Sequence, residues 1–449
     1  MKIKKIKIQK LFGLFNYDIE LNQNEDITIL TGPNGYGKTT ILNIIYNLFN
    51  HRFFYFQKLN FETISIFFNE EQRIELTKKQ GKTKPEQAIR IVNNQPQVYS
   101  QQISTTDIQL DLFDKHGKPL ENFTYNSDTE NKLLIELGKY IPVQKISQNI
   151  VLEANTGRQL SLRDFLAEYI NYLPIKVISL INRQETTQIS QLLNSANVYI
   201  IREERLLTQT RKSNQNISFD RTIEMYSKEL KNIIEQKQLE AYQKAQQLDS
   251  SFPKRLIECK EFLSEDDFRN KFAALTKKQE LLQTFGIATT KQDVTEYNNE
   301  TKNVLTVYLE DSEEKVRVYD ELLVKIALFV NILNEKRFAF KSIVINGSQG
   351  FYFQLSNGQR LRLTDLSSGE QQEVVLLYEL LFKTNSNTLI LIDEPEISLH
   401  VEWQKPFLGD LQKIAKVKQI SFLISTHAPS IINDKWNLTK DLFELANAN

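Results

Sequence analysis

Short apolar runs that end in glycine or in charged residues recur along the chain and predict buried strands. The clearest are "DITILTG" (26–32), "TLILIDE" (388–394) and "ISFLISTH" (420–427). Each is short and rich in β-branched residues, which is typical of strands covered on both faces. Helical patterns alternate with the last two runs, so the terminal segments predict an α/β fold with a parallel sheet.

Two segments next to these strands show the 3.6-residue spacing of helices. In "KTTILNIIYNLF" (38–49) the apolar residues recur at helical intervals. In "LSSGEQQEVVLLYELLF" (366–382) a serine pair and a glycine precede a strongly apolar stretch. We expect a helix in both places, and the first begins directly after a glycine-rich loop.

The rest of the N-terminal part mixes strand and helix patterns. Hairpins are predicted around "NEEQ", between "FETISIFF" and "RIELTKK", and within "FDKHGKPLENFTY" (113–125). Residues 81–135 are otherwise polar and rich in glutamine. Helices are expected over 132–150 and 161–173, followed by a strand in "NVYIIREERLL" (197–207).

The middle of the chain predicts a helical hairpin. Its first helix is expected to start with Ser218 as N-cap and to end at Pro253 in "DSSFPKR". A second arm is expected to reach Leu282. A packed helical subdomain is the favoured interpretation, and a lever or partner-docking element is the alternative. The apolar stripe of the first helix comprises Ile223, Tyr226, Leu230, Ile233, Ile234 and Tyr242.

Downstream of the hairpin, one further helix and three short strands are predicted. The helix covers Asp320 to Leu333. The strands lie in "KSIVING", "FYFQLS" and "RLRLTDL", which are separated by glycine-containing turns.

The composition limits the class of protein. The chain has 449 residues, 41 % apolar and 25 % charged, so it is globular and long enough for more than one core. The 56 basic and 56 acidic residues cancel, so any contact with nucleic acid has to be local. The single cysteine, Cys259, excludes an internal disulfide and a cysteine-only zinc site. No apolar run approaches 18 residues, so we expect a cytoplasmic protein without signal peptide or membrane contact.

Lysines alternate with isoleucines in the N-terminal segment "MKIKKIKIQK". Lysines on an exposed edge strand oppose edge-to-edge pairing, and this is the favoured interpretation. A patch that faces DNA is the alternative.

The loop between the first strand and the first helix has the chemistry of a phosphate site. Gly32, Gly37, Lys38 and Thr39 fit the pattern G-x-x-x-x-G-K-[ST]. Glycines let backbone N–H groups close around phosphate oxygens, and a helix N-terminus adds positive partial charge. The Lys38 ammonium is placed to contact the β- and γ-phosphates, and the Thr39 hydroxyl to bind Mg²⁺.

Two carboxylates follow the second apolar strand, and a histidine follows the third. In an open α/β sheet, the carboxyl ends of the strands are the usual place for ligand chemistry. Asp393 is expected to orient Mg²⁺, and Glu394 to accept a proton from an attacking water. His427 is expected to reach a γ-phosphate, with a purely structural role as the alternative.

The segment "LSSGE" (366–370) predicts a second helix N-terminus suited to an anion. It lies more than 300 residues after Lys38, which already has a complete phosphate loop around it. A second set of donors is useful if it closes over a nucleotide bound by another copy of the chain. The sequence therefore predicts a site shared by two copies, with an ordinary capped core helix as the alternative.

These pieces in this order resemble the ATP-binding cassette (ABC) fold, and in particular the heads of SMC-like and overcoming-lysogenization-defect (OLD) ATPases. Residues 32–39 match Walker A, 366–370 the signature motif, 389–394 Walker B, and His427 the switch histidine. "EPEISLHVEWQ" resembles the OLD-type continuation, with His400 where transporters carry aspartate. The resemblance implies an α/β ABC-type P-loop ATPase head with mixed β-sheets, flanking helices and a helical-hairpin insertion.

The resemblance also implies a set of site residues. Its implied catalytic residues are Glu394 and His427, and its implied Mg²⁺ ligands are Thr39 and Asp393. The implied ATP contacts are Asn34, Gly35, Gly37, Lys38, Thr39, Thr40, Ser367, Gly369 and Glu370. For the Q-loop glutamine, the candidates by position only are Gln95, Gln97 and Gln101.

On this resemblance the chain divides into three parts. Residues 1–205 are expected to form an N-terminal ATPase lobe with Walker A. Residues 206–290 are expected to form the helical hairpin insertion. Residues 291–449 are expected to form a C-terminal ATPase lobe with the signature, Walker B and the switch histidine.

Four segments together look like the standalone ATPases of bacterial antiphage defence operons, such as the ATPase subunits of the PARIS and Septu systems. They are "NVYIIREERLL", "LDSSFPKRL", "LSSGEQQEVVLLYELLF" and "SLHVEWQ". The likeness implies a homodimer or higher homo-oligomer that is triggered by phage or DNA and controls a separately encoded nuclease of Toprim or HNH type. Only 22 residues follow His427, so the Toprim domain of OLD nucleases is expected to be absent from this chain.

Two other functions stay open from sequence. One is a DNA-repair or DNA-end-binding ATPase similar to SMC and RecF. The other is a nucleotide-locked scaffold that hydrolyses little ATP.

Overall fold

The computed structural model describes residues 2–69, 72–92, 95–146, 150–154, 157–170, 173, 177–178, 187–201, 206–211, 217–287, 297–335, 338, 340–397 and 399–447. The chain folds into two compact units. The first comprises residues 1–202, 385–397 and 418–449, and the second comprises 203–384 and 398–417. The three-part division at 205 and 290 stays a prediction.

The described residues form strands and helices throughout both units. The strands are β1 (Ile3–Leu11), β2 (Phe15–Glu20), β3 (Ile27–Thr31), β4 (Thr63–Phe68), β5 (Arg73–Val92), β6 (Gln95–Phe113), β7 (Pro119–Tyr125), β8 (Val143–Lys145), β9 (Ile150–Glu153), β10 (Gln159–Ser161), β11 (Asn197–Ile201), β12 (Leu207–Arg211), β13 (Ile217–Arg221), β14 (Lys341–Asn346), β15 (Gly350–Leu355), β16 (Arg360–Leu361), β17 (Thr388–Asp393), β18 (Ser421–Ser425) and β19 (Thr439–Asp441). The α-helices are α1 (Lys38–Phe49), α2 (Phe54–Lys58), α3 (Ser127–Leu137), α4 (Leu162–Tyr169), α5 (Gln188–Ser195), α6 (Thr222–Glu258), α7 (Glu265–Thr284), α8 (Lys302–Arg317), α9 (Asp320–Glu335), α10 (Ser368–Tyr378), α11 (Val401–Lys418), α12 (Pro429–Ile432) and α13 (Leu442–Asn447).

A five-stranded parallel sheet in the first unit carries the predicted phosphate loop. Its order is β11–β17–β18–β3–β19, and every neighbouring pair is parallel. All residues of β3 are buried, and so is β17 up to its last residue. Complete burial explains why these strands are continuous apolar runs in the sequence. Parallel pairing brings the carboxyl ends of β3, β17 and β18 to one edge of the sheet.

An antiparallel sheet of order β2–β1–β4–β5–β6–β7 forms the other large part of the first unit. One hydrophobic cluster includes residues of this sheet, of α1 and of the parallel sheet, such as Ile6, Ile45 and Leu391. The shared cluster fixes α1, and with it the phosphate loop, between the two sheets of this unit.

The N-terminal lysines do not protect a sheet edge. β1 lies between β2 and β4, so that expectation is wrong. A patch that faces DNA stays a prediction. Three of the lysines form ion pairs: Lys2 with Asp26, Lys5 with Asp18, and Lys10 with Glu62.

Both predicted hairpins of the N-terminal part are confirmed, since β4 pairs with β5 and β6 pairs with β7. In addition, β5 and β6 pair along their whole length, which the polar composition of 81–135 did not predict.

The helix expected over 132–150 is wrong in its second half. α3 ends at Leu137, and Gly138 and Pro142 follow before β8, so two helix-terminating residues were overlooked. The helix expected over 161–173 forms as α4, and residues 171–172 lie outside the described part.

In the second unit, the two predicted helices form as α6 and α7, with two different boundaries. Both pack against α8 rather than mainly against each other, so the hairpin pairing stays a prediction. Ser218 is not the N-cap, because it lies in β13, which pairs with β12. Pro253 does not end α6, which continues to Glu258. Near the proline, Ser251 and Arg255 side chains both donate to the Leu248 carbonyl, at 3.1 and 2.8 Å. Pro253 leaves the Asp249 carbonyl without its N–H donor, and the side-chain bonds go to the neighbouring carbonyl in the same turn.

The remaining elements of the second unit agree with the sequence patterns, except that α8 and the β12–β13 pair were not predicted. The three short strands pair as the antiparallel sheet β14–β15–β16, and the expected third helix is α9. α10 begins at Ser368 and continues into a π-helical turn, Glu379–Lys383. Within the described ranges, no helix combines the length and apolarity needed to cross a membrane.

Candidate functional site

The loop between β3 and α1 leaves the start of α1 open. Gly37 is its N-cap, and no side chain caps the helix. The first turn of α1 contains no acidic residue. Its N–H groups therefore lack the side-chain acceptor that usually closes a helix start, and a phosphate oxygen fits them.

Glycine is required at two positions of this loop. Gly37 has φ 85°, and a Cβ there would lie 3.0 Å from Leu11 Cδ2 and 3.3 Å from Phe12 Cε2. Gly35 has φ 88° and is exposed together with Asn34. Both glycines adopt the left-handed conformation that other residues avoid, so the loop shape depends on them.

The Lys38 side chain is buried within the loop, with 5 % of its residue surface exposed. Its Nζ donates to the carbonyl oxygens of Gly32 at 2.8 Å and Pro33 at 3.3 Å. A phosphate oxygen is a stronger partner for an ammonium group than a neutral carbonyl is. Lys38 is the first residue of α1 rather than part of the loop, so its backbone is held by the helix.

Asp393 joins the phosphate loop to the neighbouring strand. Its Oδ1 accepts a hydrogen bond from Thr39 Oγ1 at 3.2 Å and a second one from the Ser425 hydroxyl. Asp393 ends β17, Ser425 ends β18, and Thr39 lies in the first turn of α1. The sequence predicted Asp393 and Thr39 together but missed Ser425, although it directly precedes Thr426 and His427.

Glu394 has a strained backbone at the edge of the sheet. Its φ is 40°, in the left-handed region that non-glycine residues rarely adopt, and its N–H donates to the Ser425 carbonyl at 2.9 Å. Strain of this kind clusters at functional sites. Its Oε1 lies 3.5 Å from His427 Nδ1, so the two predicted catalytic side chains are neighbours.

Glu396 is a site residue that the sequence reasoning missed. Its Oε1 accepts hydrogen bonds from the Thr426 hydroxyl at 2.7 Å and the His427 N–H at 3.1 Å. The same oxygen lies 3.4 Å from His427 Nδ1. The sequence signal for this residue was the second glutamate of "DEPE". In the structure, its side chain holds the segment that carries His427.

The donor set beside the phosphate loop fits a magnesium ion. Mg²⁺ prefers oxygen ligands, and proteins usually supply one or two while phosphates and water complete the octahedron. The Thr39 hydroxyl and the Asp393 carboxylate are 3.2 Å apart and face the same loop. Among the residues that the structure describes, no group of three His, Cys, Asp or Glu could hold a metal ion.

In the second unit, Ser367 caps α10. Its side chain accepts from the Glu370 N–H at 3.3 Å, while the Glu370 carboxylate accepts from the Ser367 N–H at 2.8 Å. This reciprocal pair is a capping box. Ser367 and Ser368 are exposed, and the space around a Cβ at Gly369 is empty to 4 Å. The capping box therefore uses the N–H groups of Ser367 and Glu370, and the surface of the helix start is open.

Glu370 is buried and held by an ion pair within the second unit. Lys341 Nζ donates to its two carboxylate oxygens at 2.7 and 2.9 Å. Desolvation by burial raises the pKa of Glu370, but the hydrogen bonds from Lys341 and from Ser367 outweigh it and hold the pKa below its usual range. The ATP contact expected for Glu370 stays a prediction, and the neutralising role of Lys341 was not foreseen.

The remaining expected site residues are the candidate Q-loop glutamines, His400 and Thr40. Gln95, Gln97 and Gln101 lie in β6, and their side chains lie outside the described part. His400 is exposed, its ring 5.6 Å from that of Trp403. Thr40 is half-buried in the first turn of α1.

Part of the chain is similar to the "Retron Vc95 probable ATPase" of Vibrio cholerae serotype O1 biovar El Tor. The two are 27 % identical over 128 residues, which is 27 % of this chain and 24 % of the relative. The match thus spans about a quarter of that relative's length.

Two solved structures align over most of the chain. The Smc head domain of Pyrococcus furiosus, bound to the C-terminal domain of ScpA, has 12 % identity and a TM-score of 0.32, with 96 % of this chain and 90 % of that chain covered. The SMC head domain of Thermotoga maritima has 11 % identity and a TM-score of 0.30, with 96 % and 91 % covered. Because these identities and TM-scores are low, the assignment of an α/β P-loop fold is based on the strand order and the phosphate loop described above.

The family comparison covers almost the whole chain. The model of the AAA ATPase domain (AAA_15) matches residues 1–432, which include the phosphate loop, Asp393, Glu394 and His427. The chain therefore belongs to the AAA ATPase domain family and is an ATPase.

Proposed function

We propose that the chain is an ABC-type ATPase whose two copies close over ATP, and that it regulates a separately encoded nuclease of an antiphage defence system. The observation that carries the proposal is the edge of the parallel sheet, where Asp393, Glu394 and His427 meet the open start of α1. The similarity to a retron ATPase and the likeness of four segments to defence ATPases support the cellular role.

In the proposed mechanism, the first unit binds the triphosphate. Backbone N–H groups of the loop and of the start of α1 donate to the phosphate oxygens, and Lys38 exchanges its two carbonyl partners for the β- and γ-phosphates. Thr39 and Asp393 would hold Mg²⁺, which when bound would neutralise charge on the phosphates.

Hydrolysis then depends on the Glu394–His427 pair. Glu394 accepts a proton from the attacking water, and its fixed backbone places the carboxylate for that task. His427 lies beside it and contacts the γ-phosphate, while Glu396 positions the segment that carries the histidine. Glu396 is therefore a positioning residue.

The second unit supplies the other half of a shared site. Ser367 and the exposed start of α10 contact the γ-phosphate held by a second copy. The Glu370 charge is neutralised by Lys341, so it does not repel that phosphate. Hydrolysis removes the contacts and loosens the pair, which makes the nucleotide state a switch, and the helices α6 and α7 carry the change to the nuclease.

Phage protection in cells tests the cellular role. The chain is expressed with its flanking genes, and plaque formation is measured for the wild type, for Lys38→Ala, and for an inactivated neighbouring Toprim or HNH nuclease gene. We expect wild-type protection to be lost in both variants, because neither the ATPase nor the nuclease acts alone. Protection that survives without the nuclease contradicts the proposal. Sensitivity to DNA damage in Lys38→Ala without any effect on phage supports a DNA-repair ATPase instead.

A further inference from the structure

Phe340 is an exposed aromatic residue with a strained backbone. It is 83 % exposed, and its φ is 64°. The left-handed conformation is unfavourable for a bulky residue, and a large apolar side chain is unfavourable in water. Single exposed apolar side chains are common on protein surfaces, but backbone strain at a bulky residue calls for a functional explanation.

The turn around Phe340 is fixed from both sides. The Lys341 N–H donates to the Phe338 carbonyl at 2.5 Å, and the Ser356 N–H donates to the Phe340 carbonyl at 3.0 Å. Phe338 is buried, with ring centroids 5.0 Å from Trp403 and 5.4 Å from Phe353. This packing holds the strained conformation and points to a rigid, preformed contact residue rather than a loose turn.

A short series of contacts connects Phe340 to the capped start of α10. The next residue, Lys341, binds the Glu370 carboxylate at 2.7 Å. The same carboxylate accepts from the Ser367 N–H at 2.8 Å. Phe340 therefore flanks the helix start that the proposed function brings to a second copy.

A matching apolar surface flanks the phosphate loop of the first unit. Leu14, in the turn between β1 and β2, is 74 % exposed, and Phe12 in the same turn is exposed as well. The Phe12 ring lies 3.3 Å from the position of a Cβ at Gly37, the N-cap of α1. The turn is thus adjacent to the loop that holds the phosphates.

We propose that Phe340 of one copy packs against Phe12 and Leu14 of a second copy when ATP joins them. The inference rests on the proposed function, in which Ser367 reaches the phosphate loop of the other copy. The two apolar surfaces, each adjacent to one half of the shared site, then meet at the same junction. Their burial makes Phe340 an anchor of the interface, since a few central aromatic residues usually carry most of the binding energy.

Dimer formation of Glu394→Gln protein in ATP, measured by analytical ultracentrifugation, tests the inference. Phe340→Asn in this background removes the ring and relieves the strain, because asparagine tolerates the left-handed conformation. We expect the dimer dissociation constant to rise about 10- to 100-fold, with unchanged ATP affinity of the monomer and a higher melting temperature. Leu14→Ser should weaken the dimer in the same direction, whereas Phe340→Tyr should retain it.

A matched control separates this contact from a general loss of exposed apolar surface. Ile257 is 84 % exposed at the end of α6, and Ile257→Ser should leave the dimer constant unchanged. Unchanged dimerisation in Phe340→Asn and Leu14→Ser, with a parent that dimerises, overturns the inference and leaves the proposed function intact. An effect of Phe340→Asn without one of Leu14→Ser overturns the pairing with that turn. A parent that stays monomeric in ATP overturns the inference and the proposed function together.

Discussion

Lys38→Ala is expected to lower ATP affinity about 100-fold and to reduce ATP turnover by at least about 100-fold. The variant removes a positive charge that contacts two phosphates, and each charge-assisted hydrogen bond contributes about 1.5–3 kcal/mol. The position lies at the start of α1, whose hydrophobic side packs into the core cluster, so the fold should persist. Nucleotide binding is measured by calorimetry and turnover by phosphate release.

A surface lysine of the same unit provides the control for the Lys38 variant. Lys58 pairs with Asp164 at 2.6 Å, and about half of each side chain is exposed. Lys58→Ala should leave ATP affinity and turnover unchanged, since exposed ion pairs contribute little. Wild-type affinity and turnover in a folded Lys38→Ala protein would show that the nucleotide binds elsewhere.

Glu394→Gln is expected to slow hydrolysis about 10²- to 10⁴-fold while ATP still binds. Glutamine keeps the shape of the side chain but does not accept a proton, and this range is the usual contribution of a general base. Because the contacts to ATP persist, the variant should accumulate as an ATP-bound pair of copies. The rate of hydrolysis is measured in single turnovers, ATP binding is measured at equilibrium, and the formation of pairs is measured as molecular mass in ATP.

Glu396→Gln is the matched comparison, because its carboxylate is also close to His427. Its oxygen accepts from Thr426 and from the His427 backbone, and a glutamine oxygen accepts in the same way. We therefore expect a loss below about tenfold. A larger loss in Glu396→Gln than in Glu394→Gln would assign the base to Glu396. Loss of ATP binding in Glu394→Gln would make Glu394 a metal ligand.

The phosphate loop and its strands were predictable because their signals are local. β3, Gly37 and the start of α1 are contiguous, and complete burial of the strands makes them continuous apolar runs. The contacts of Asp393 with Thr39 and Ser425 were harder to predict, because they depend on the strand order of the sheet. That order places β17 beside β18 and β18 beside β3, although β3 is far away in sequence.

The errors have equally specific causes. At Pro253 the local rule predicted a helix end, but side-chain donors of Ser251 and Arg255 bind backbone in that turn, and the helix continues. The lysines of β1 were assigned to an edge because pairing partners are not visible in a sequence. Lys341 was missed because its partner, Glu370, is distant in sequence, although the pair decides how Ser367 is held.

The central claim is that two copies form one ATP site, with Lys38 from one copy and Ser367 from the other. Ser367→Arg should block hydrolysis by filling the surface of the helix start, while each copy still binds ATP. Ser367→Ala controls for the lost cap, which costs about 1 kcal/mol without added bulk. Lys38→Ala disables the other half of the site.

The most direct measurement is ATP turnover in an equal mixture of Ser367→Arg and Lys38→Ala proteins, each inactive alone. Half of the pairs are then mixed, and each mixed pair contains one intact site of two, so the account predicts about a quarter of wild-type turnover. A different affinity tag on each of the two proteins shows whether copies exchange between pairs. No recovery of turnover in an exchanged mixture, or full activity of a monomer at every concentration, would contradict the shared site.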